Sequence, residues 1–180
     1  KVIIIVSYDE RTGAIGYKGQ LYYSMKADLA HFRKTTTTTT VPNRKNLLVM
    51  GRNTWESLPR KPLPDRENLV MTSRHILNTI TKVDAYDVLE YGYSHSVELE
   101  NIYIIGGSQV YKDFLEKSLV DEIIATVYTR KDSSQEYKAD TFFPLECLED
   151  FKLVRQPEFL GEDANFIANV HYYKKRGKTD

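Results

Sequence analysis

The sequence predicts an α/β fold: a central mixed, mostly parallel β-sheet flanked by helices, with antiparallel strands near the C-terminal end. Three observations carry this reading. Short runs of β-branched and aliphatic residues recur as far as Val127, and stretches with helical character separate them. Beyond them the pattern changes to two long strands. Strand alternating with helix is the mark of parallel pairing with helices on both faces of a sheet.

Val2-Ile3-Ile4-Ile5-Val6 is an unbroken apolar run, as expected for a strand covered on both faces. Asn46-Leu47-Leu48-Val49-Met50, Asn68-Leu69-Val70-Met71, Ile102-Tyr103-Ile104-Ile105 and Glu122-Ile123-Ile124-Ala125-Thr126-Val127 read alike. Helices are expected over 26–36, 52–58 and 108–117, with a less marked one over 84–90. The threonine run Thr35 to Thr40 reads as the exit from the first helix. Its β-branched side chains discourage continuation and its hydroxyls can bond the last carbonyls. Pro42-Asn43 then marks a turn. Gly13, Gly16 and Gly19 make Gly13 to Tyr23 read as a mobile loop where a lid could sit. In the tail, 151–155 and 165–174 read as strands, with Ile167, Val170 and Tyr172 among their apolar positions. No linker, repeat or break in composition divides the chain, so one domain over 1–180 is expected.

A chain of 180 residues can bury roughly 70% of its unfolded surface, enough for a core without staples. Lys plus Arg equals Asp plus Glu, 25 each, so no global field draws nucleic acid or an anionic membrane. The basic ending Lys174-Lys175-Arg176-Gly177-Lys178 reads as a solvated tail. Cys147 is the only cysteine, which rules out an internal disulfide and suits a small buried apolar residue. No apolar run approaches the roughly 20 residues of a membrane span, and a soluble cytoplasmic protein is expected.

The most informative position is Asp28, within Met25-Lys26-Ala27-Asp28-Leu29-Ala30-His31-Phe32. Helical spacing sets it beside Leu29 and Phe32 on a face expected to turn inward. An acid there either keeps its head in solvent or finds strong donors, the second being the setting of many site carboxylates. Metal and nucleophile templates are missing: His31, His75, His95 and His171 show no ligand spacing, and no phosphate loop or dinucleotide fingerprint occurs. Strand ends instead offer anion donors. Ile104-Ile105-Gly106-Gly107-Ser108 and Met50-Gly51-Arg52-Asn53-Thr54-Trp55 each place glycine between a strand and a helix start. Thr72-Ser73-Arg74 follows a strand with two hydroxyls and a guanidinium, and Pro62-Leu63-Pro64-Asp65-Arg66 is a stiffened loop presenting a cation. Together they suggest a long phosphorylated cofactor across the carboxyl edge of a sheet.

With these segments in view the chain resembles dihydrofolate reductase over nearly its whole length. The matching stretches are Ile15-Gly16-Tyr17-Lys18-Gly19, Ala27 to Phe32, Met50 to Ser57, Pro62 to Arg66, Ile105-Gly106-Gly107-Ser108-Gln109-Val110-Tyr111 and Asp140-Thr141-Phe142-Phe143-Pro144. The resemblance implies NADPH-dependent reduction of 7,8-dihydrofolate to tetrahydrofolate, in one-carbon metabolism, by a monomer that also takes antifolate-type small molecules and requires no nucleic acid or membrane. On that likeness Asp28 would accept hydrogen bonds from the pterin, braced by Thr126. Ile5, Val6 and Ile105 would border pterin and nicotinamide, with Leu29, Phe32, Leu58 and Leu63 as walls. Arg66 would pair with the glutamate-tail carboxylate. Ser7 and Ile15 would meet the nicotinamide carboxamide beside Gly16. The pyrophosphate would fall to Gly51, Arg52, Asn53, Thr54, Gly106, Gly107, Ser108, Gln109 and Val110, with Tyr111 near the nicotinamide. Thr72, Ser73 and Arg74, with Arg52, would bind the 2′-phosphate. The Gly-Gly peptide would be cis.

Two departures stand out. The family usually has Pro-Trp after Leu21, where this chain has Tyr22-Tyr23, and generally alanine where this chain has Ser7. Tyr23 is expected to hold a water near the pterin through its hydroxyl, and Ser7 either to reach the carboxamide or to be tolerated. The competing readings are a reductase of another heterocycle and a catalytically impaired folate- and NADPH-binding protein.

Overall fold

A computed structural model describes residues 1–177, so Lys178 of the basic ending lies outside the described residues. The elements in order are β1 (Val2–Asp9), β2 (Ala14–Tyr17), β3 (Gln20–Leu21), α1 (Lys26–Thr37), β4 (Lys45–Gly51), α2 (Arg52–Ser57), β5 (Glu67–Met71), β6 (Ile80–Lys82), α3 (Ala85–Ser94), β7 (Leu99–Gly106), α4 (Ser108–Glu116), β8 (Glu122–Arg130), β9 (Thr141–Phe142), a 3-10 turn (Leu145–Asp150), β10 (Phe151–Leu153), β11 (Glu158–Glu162) and β12 (Phe166–Lys175). The main sheet runs β10-β12-β8-β1-β7-β4-β5-β6, with β11 also on β12. From β8 to β6 every pairing is parallel, and the two tail strands expected, now β10 and β12, are antiparallel additions; β6 and β11 were not expected, and β10 has only 3 residues.

Alternation along the strands divides the core. Val2, Ile4, Val6 and Tyr8 of β1 pack with Ile123, Ala125 and Val127 of β8 against Val88 of α3 and Val110 and Phe114 of α4. Ile3 and Ile5 face the other way, with Met50, Tyr103 and Ile124, toward Phe32 of α1 and Trp55 of α2. Side chains one residue apart therefore serve different faces, as the period of two in a strand requires. Cys147 packs against the first cluster, and burial pushes its thiol up to about 12.

The sequence expectation fails for Gly13 to Tyr23. In place of a loop, β2 and β3 form a hairpin that pairs with β9 in a separate three-stranded sheet. A Cβ on Gly16 would lie 2.4 Å from Thr141 Oγ1, so a residue expected to serve a cofactor is first of all a point of close strand approach. The strands were hidden by their brevity and their glycine content. The helix expected over 84–90 extends to Ser94, started by Asp84, whose carboxylate accepts the Tyr86 N–H at 2.7 Å. The threonine run closes α1 as read: Thr36, Thr37 and Thr38 give hydroxyl bonds of 2.8, 2.7 and 2.6 Å to the carbonyls of Phe32, Arg33 and Lys34.

Candidate active site

Asp28 stands in the first turn of α1, where the helix dipole favours an acid. It is 9% exposed while Leu29 beside it is 54% exposed. The face expected to turn inward does so at Asp28 and at Phe32, which packs on the core, whereas Leu29 stays open. Burial is tolerated because hydroxyls from two neighbouring strands converge on the carboxylate. Ser7 of β1 and Thr126 of β8 are register partners, and Tyr128 follows Thr126 by two residues on the same face. Thr126 Oγ1 donates to Asp28 Oδ1 at 2.8 Å, and Tyr128 OH donates to Oδ2 at 2.7 Å. Ser7 Oγ donates to Oδ2 at 2.6 Å. Burial and the neighbouring Asp28 charge hold the Tyr128 phenol well above its usual range, so it serves as a donor.

The sequence left open where the Ser7 hydroxyl goes; in the structure it points to Asp28. Tyr128 was missed altogether, although its i, i+2 spacing from Thr126 was the available signal.

Ile5, Phe32, Leu58, Leu63 and Ile105 share one apolar cluster on the Asp28 side of the sheet. Val6 does not join them; its side chain lies in the opposite cluster, so only its backbone borders this side. The Ile5 carbonyl accepts the Tyr111 hydroxyl at 2.9 Å, and Tyr111 is buried. Asn68, also missed by sequence reasoning, holds the Pro-rich loop by pairing its amide with both backbone groups of Leu63 at 2.9 Å. Arg66 follows and is 6% exposed. Its Nε donates to the Pro64 carbonyl at 2.8 Å and its Nη1 to Thr36 Oγ1 at 3.0 Å. Among the described residues no carboxylate lies within ion-pair distance of this guanidinium, and burial lowers its proton affinity.

The strand ends that were read as anion donors do come together. Gly51 is adjacent to the cis Gly106-Gly107 peptide: a Cβ built on Gly51 would stand 3.8 Å from the Gly106 carbonyl oxygen and 3.9 Å from the Gly107 nitrogen. A Cβ on Gly107 would meet Thr54 Oγ1 at 3.8 Å and nothing nearer, leaving a cradle between the starts of α2 and α4. Gly106 has φ of +117°, a conformation open to glycine alone at little cost. Ser108, Gln109 and Val110 open α4. Asn53, Ser73 and Arg74 are exposed, and Thr72 Oγ1 accepts the Arg74 N–H at 3.2 Å. Arg52 donates through Nε to Glu56 at 2.8 Å within its own helix, so its guanidinium is engaged there. The Ile15 carbonyl accepts the Tyr22 N–H at 3.0 Å.

Tyr22 and Tyr23 are both tied to carboxylates. Tyr22 OH donates to Asp9 Oδ2 at 2.8 Å, and Arg130 Nε pairs with the same oxygen at 3.0 Å. Tyr23 OH donates to Asp163, and its ring packs 4.2 Å from that of Phe166. The O–H of Tyr23 is thus committed to Asp163, and only the lone pairs of its oxygen are left to accept a hydrogen bond. Among the described residues no group of His, Cys, Asp and Glu is placed to hold a metal ion, and no helix is long and apolar enough to cross a membrane.

Comparison with known proteins agrees with this geometry. A family model described as dihydrofolate reductase matches residues 1–175. Dihydrofolate reductase of Candida albicans is 36% identical over 151 residues, covering 81% of this chain and 78% of that protein. The Schistosoma mansoni enzyme is 34% identical over 178 residues, covering 95% and 91%. That of Staphylococcus aureus is 32% identical over 180 residues, covering 97% and 98%.

Proposed function

Because the chain belongs to the dihydrofolate reductase family, we propose that Asp28 and the apolar wall beside it form the site at which it reduces 7,8-dihydrofolate to 5,6,7,8-tetrahydrofolate. The family uses a nicotinamide cofactor, and NADPH is the form proposed here. The observation that carries the reading is a buried carboxylate, fixed by strand hydroxyls, at the rim of an apolar cluster that leaves Leu29 open.

In this reading Asp28 accepts the pterin N3–H and 2-amino group, one of its three hydroxyl donors giving way. Ile5, Leu29, Phe32, Leu58, Leu63 and Ile105 hold the ring system and keep water from it. Arg66 has donors beyond the two already used, and its planar fork suits the α-carboxylate of the glutamate tail. The cradle at Gly51, Thr54 and Gly107 fits a pyrophosphate, because close backbone approach and free helix-start N–H groups favour such an anion. Arg52, Asn53 and Ser108 to Val110 border it, and Tyr111 braces the Ile5 strand below the nicotinamide. Ser73 and Arg74, exposed on a turn ordered by Thr72, suit the 2′-phosphate that distinguishes NADPH from NADH.

When bound, NADPH supplies a hydride to pterin C6. The residues contribute proximity and orientation of the two rings. The pterin N5 takes its proton from water, and Asp28 raises the basicity of the bound pterin electrostatically, without passing a proton itself. Residues 1–180 would act as one reductase domain, a cytoplasmic monomer serving one-carbon metabolism and thymidylate synthesis, open to antifolate-type ligands.

A second reading has one observation in its favour. The tethering of Tyr22 and Tyr23 to Asp9 and Asp163 holds the hairpin beside the site, as would suit a binder of folate and NADPH that turns over poorly. Mixing the protein with dihydrofolate and NADPH, and following loss of the reduced-nicotinamide absorbance, separates the two. Rapid loss supports the reductase; tight binding of both ligands without loss supports the binder.

A further inference from the structure

We propose that Tyr128 is a positioning residue for Asp28, and that Tyr128 and Ser7, although they share one carboxylate oxygen, have opposite effects on a two-donor ligand. The inference rests on the reading of Asp28 as the anchor for dihydrofolate. An unprotonated carboxylate offers about four acceptor positions. Thr126 fills one on Oδ1, and Ser7 and Tyr128 both fall on Oδ2. A ligand presenting two adjacent N–H groups finds the open position on Oδ1 and needs another on Oδ2. One hydroxyl has to leave.

The two are unequally free to do so. Tyr128 is 1% exposed, and its ring stands edge-on to Tyr23 at 5.4 Å and to the fully buried Phe166 at 5.6 Å. Its backbone is paired on both sides, with Asp9 of β1 and Ala168 of β12. Moving that phenol means repacking a close-packed region. The Ser7 hydroxyl sits on a single-carbon stem, is only half-buried, and turns between staggered rotamers at small cost. Ser7 is therefore the hydroxyl that yields. Tyr128 stays and keeps the carboxylate in one orientation while the ligand docks. The first occupies a position the ligand needs; the second fixes the plane on which it docks.

The test is titration of dihydrofolate, with NADPH titrated separately as a control on folding, into the protein and its Tyr128→Phe, Ser7→Ala and Asp28→Asn variants. Tyr128→Phe is expected to raise the dihydrofolate Kd about tenfold, the loss of one hydrogen bond to a charged group. KM for dihydrofolate should rise with it by more than kcat falls, and the NADPH Kd should move by less than about twofold. Ser7→Ala is expected to lower the dihydrofolate Kd by about threefold, since a bond broken on docking is no longer there. In an Asp28→Asn background Tyr128→Phe should add almost nothing, a coupling that a merely structural tyrosine would not show. Weakening by Ser7→Ala overturns the proposal, even if Tyr128→Phe does not fold. A dihydrofolate Kd unchanged by Tyr128→Phe overturns it too. If Asp28→Asn itself leaves dihydrofolate binding intact, it is the anchoring role of Asp28 that fails.

Discussion

Around Asp28 the groups that would meet a ligand are side chains, buried and already hydrogen-bonded to one another across β1, β8 and α1. At the far end of the same sheet edge the groups are mostly backbone: the Gly51 and Gly106-Gly107 turns and the first residues of α2 and α4. Of the side chains there, Asn53 and Gln109 are exposed, Arg52, Thr54 and Ser108 half-buried, and Arg52 is paired with Glu56. One half is prepared by chemistry fixed in the core, the other by the shape of the chain. Single-atom changes should therefore be felt sharply in the first half and mildly in the second, with each half reporting on its own ligand.

The largest break is Asp28→Asn. An amide has one acceptor oxygen where a carboxylate has two, so three hydroxyl donors compete for it and the pterin loses its anchor. We expect kcat/KM for dihydrofolate to fall by about 100-fold or more, the scale of a lost catalytic group, with the NADPH Kd unchanged. An equal loss of NADPH affinity would dissolve the division between halves. Next comes Arg66→Lys, which keeps the charge and removes the fork. KM for dihydrofolate should rise about tenfold, while an analogue lacking the glutamate tail binds as before. On the other side, Arg74→Ala should weaken NADPH several-fold in dilute buffer and progressively less as salt is added, because the side chain is exposed and screened. Dihydrofolate affinity serves as the control.

The smallest effect concerns stability at the point where the hairpin meets β1. Burial would push the Asp9 carboxyl up, but hydrogen bonds from Tyr22, Arg130 and the backbone of Arg11 and Thr12 outweigh it and hold it below the usual range. A depressed carboxyl stabilises the fold above its unfolded value of about 4 and loses that contribution as pH falls through the lower folded value. Tyr22→Phe removes one of those donors. Melting curves should show it less stable by about 1–2 kcal/mol at neutral pH, the gap closing in acid.

The inner strands of the main sheet were legible because β-branched runs such as 2–6 can hardly form anything else, whereas β6 and β11, short and without such a run, were not; Asp28 was legible because an acid sat in an apolar context. The hydroxyls that seat it were legible only in part. Thr126 came with the family resemblance, whereas Ser7 and Tyr128 required the register between β1 and β8, which no local stretch encodes. That Val6 offers this side only its backbone follows from alternation along β1, which sends neighbouring side chains to opposite faces. The second sheet escaped notice because its strands are only 4, 2 and 2 residues long. For Arg52 the sequence supplied the donor but not its partner Glu56, an i, i+4 neighbour that competes with any phosphate.

The position of β8 has a consequence for how the protein is made. This strand carries Thr126 and Tyr128, and it lies between β1, which is made more than a hundred residues before it, and β12, which is made after it. A nascent chain that has passed Asp28 but not yet reached Tyr128 lacks at least one of the three partners of that carboxylate. Contacts of such long sequence separation form slowly. On the proposed role of Asp28, folate capture would wait until β8 has been made, and ligand added during translation would report that step rather than guide the ones before it.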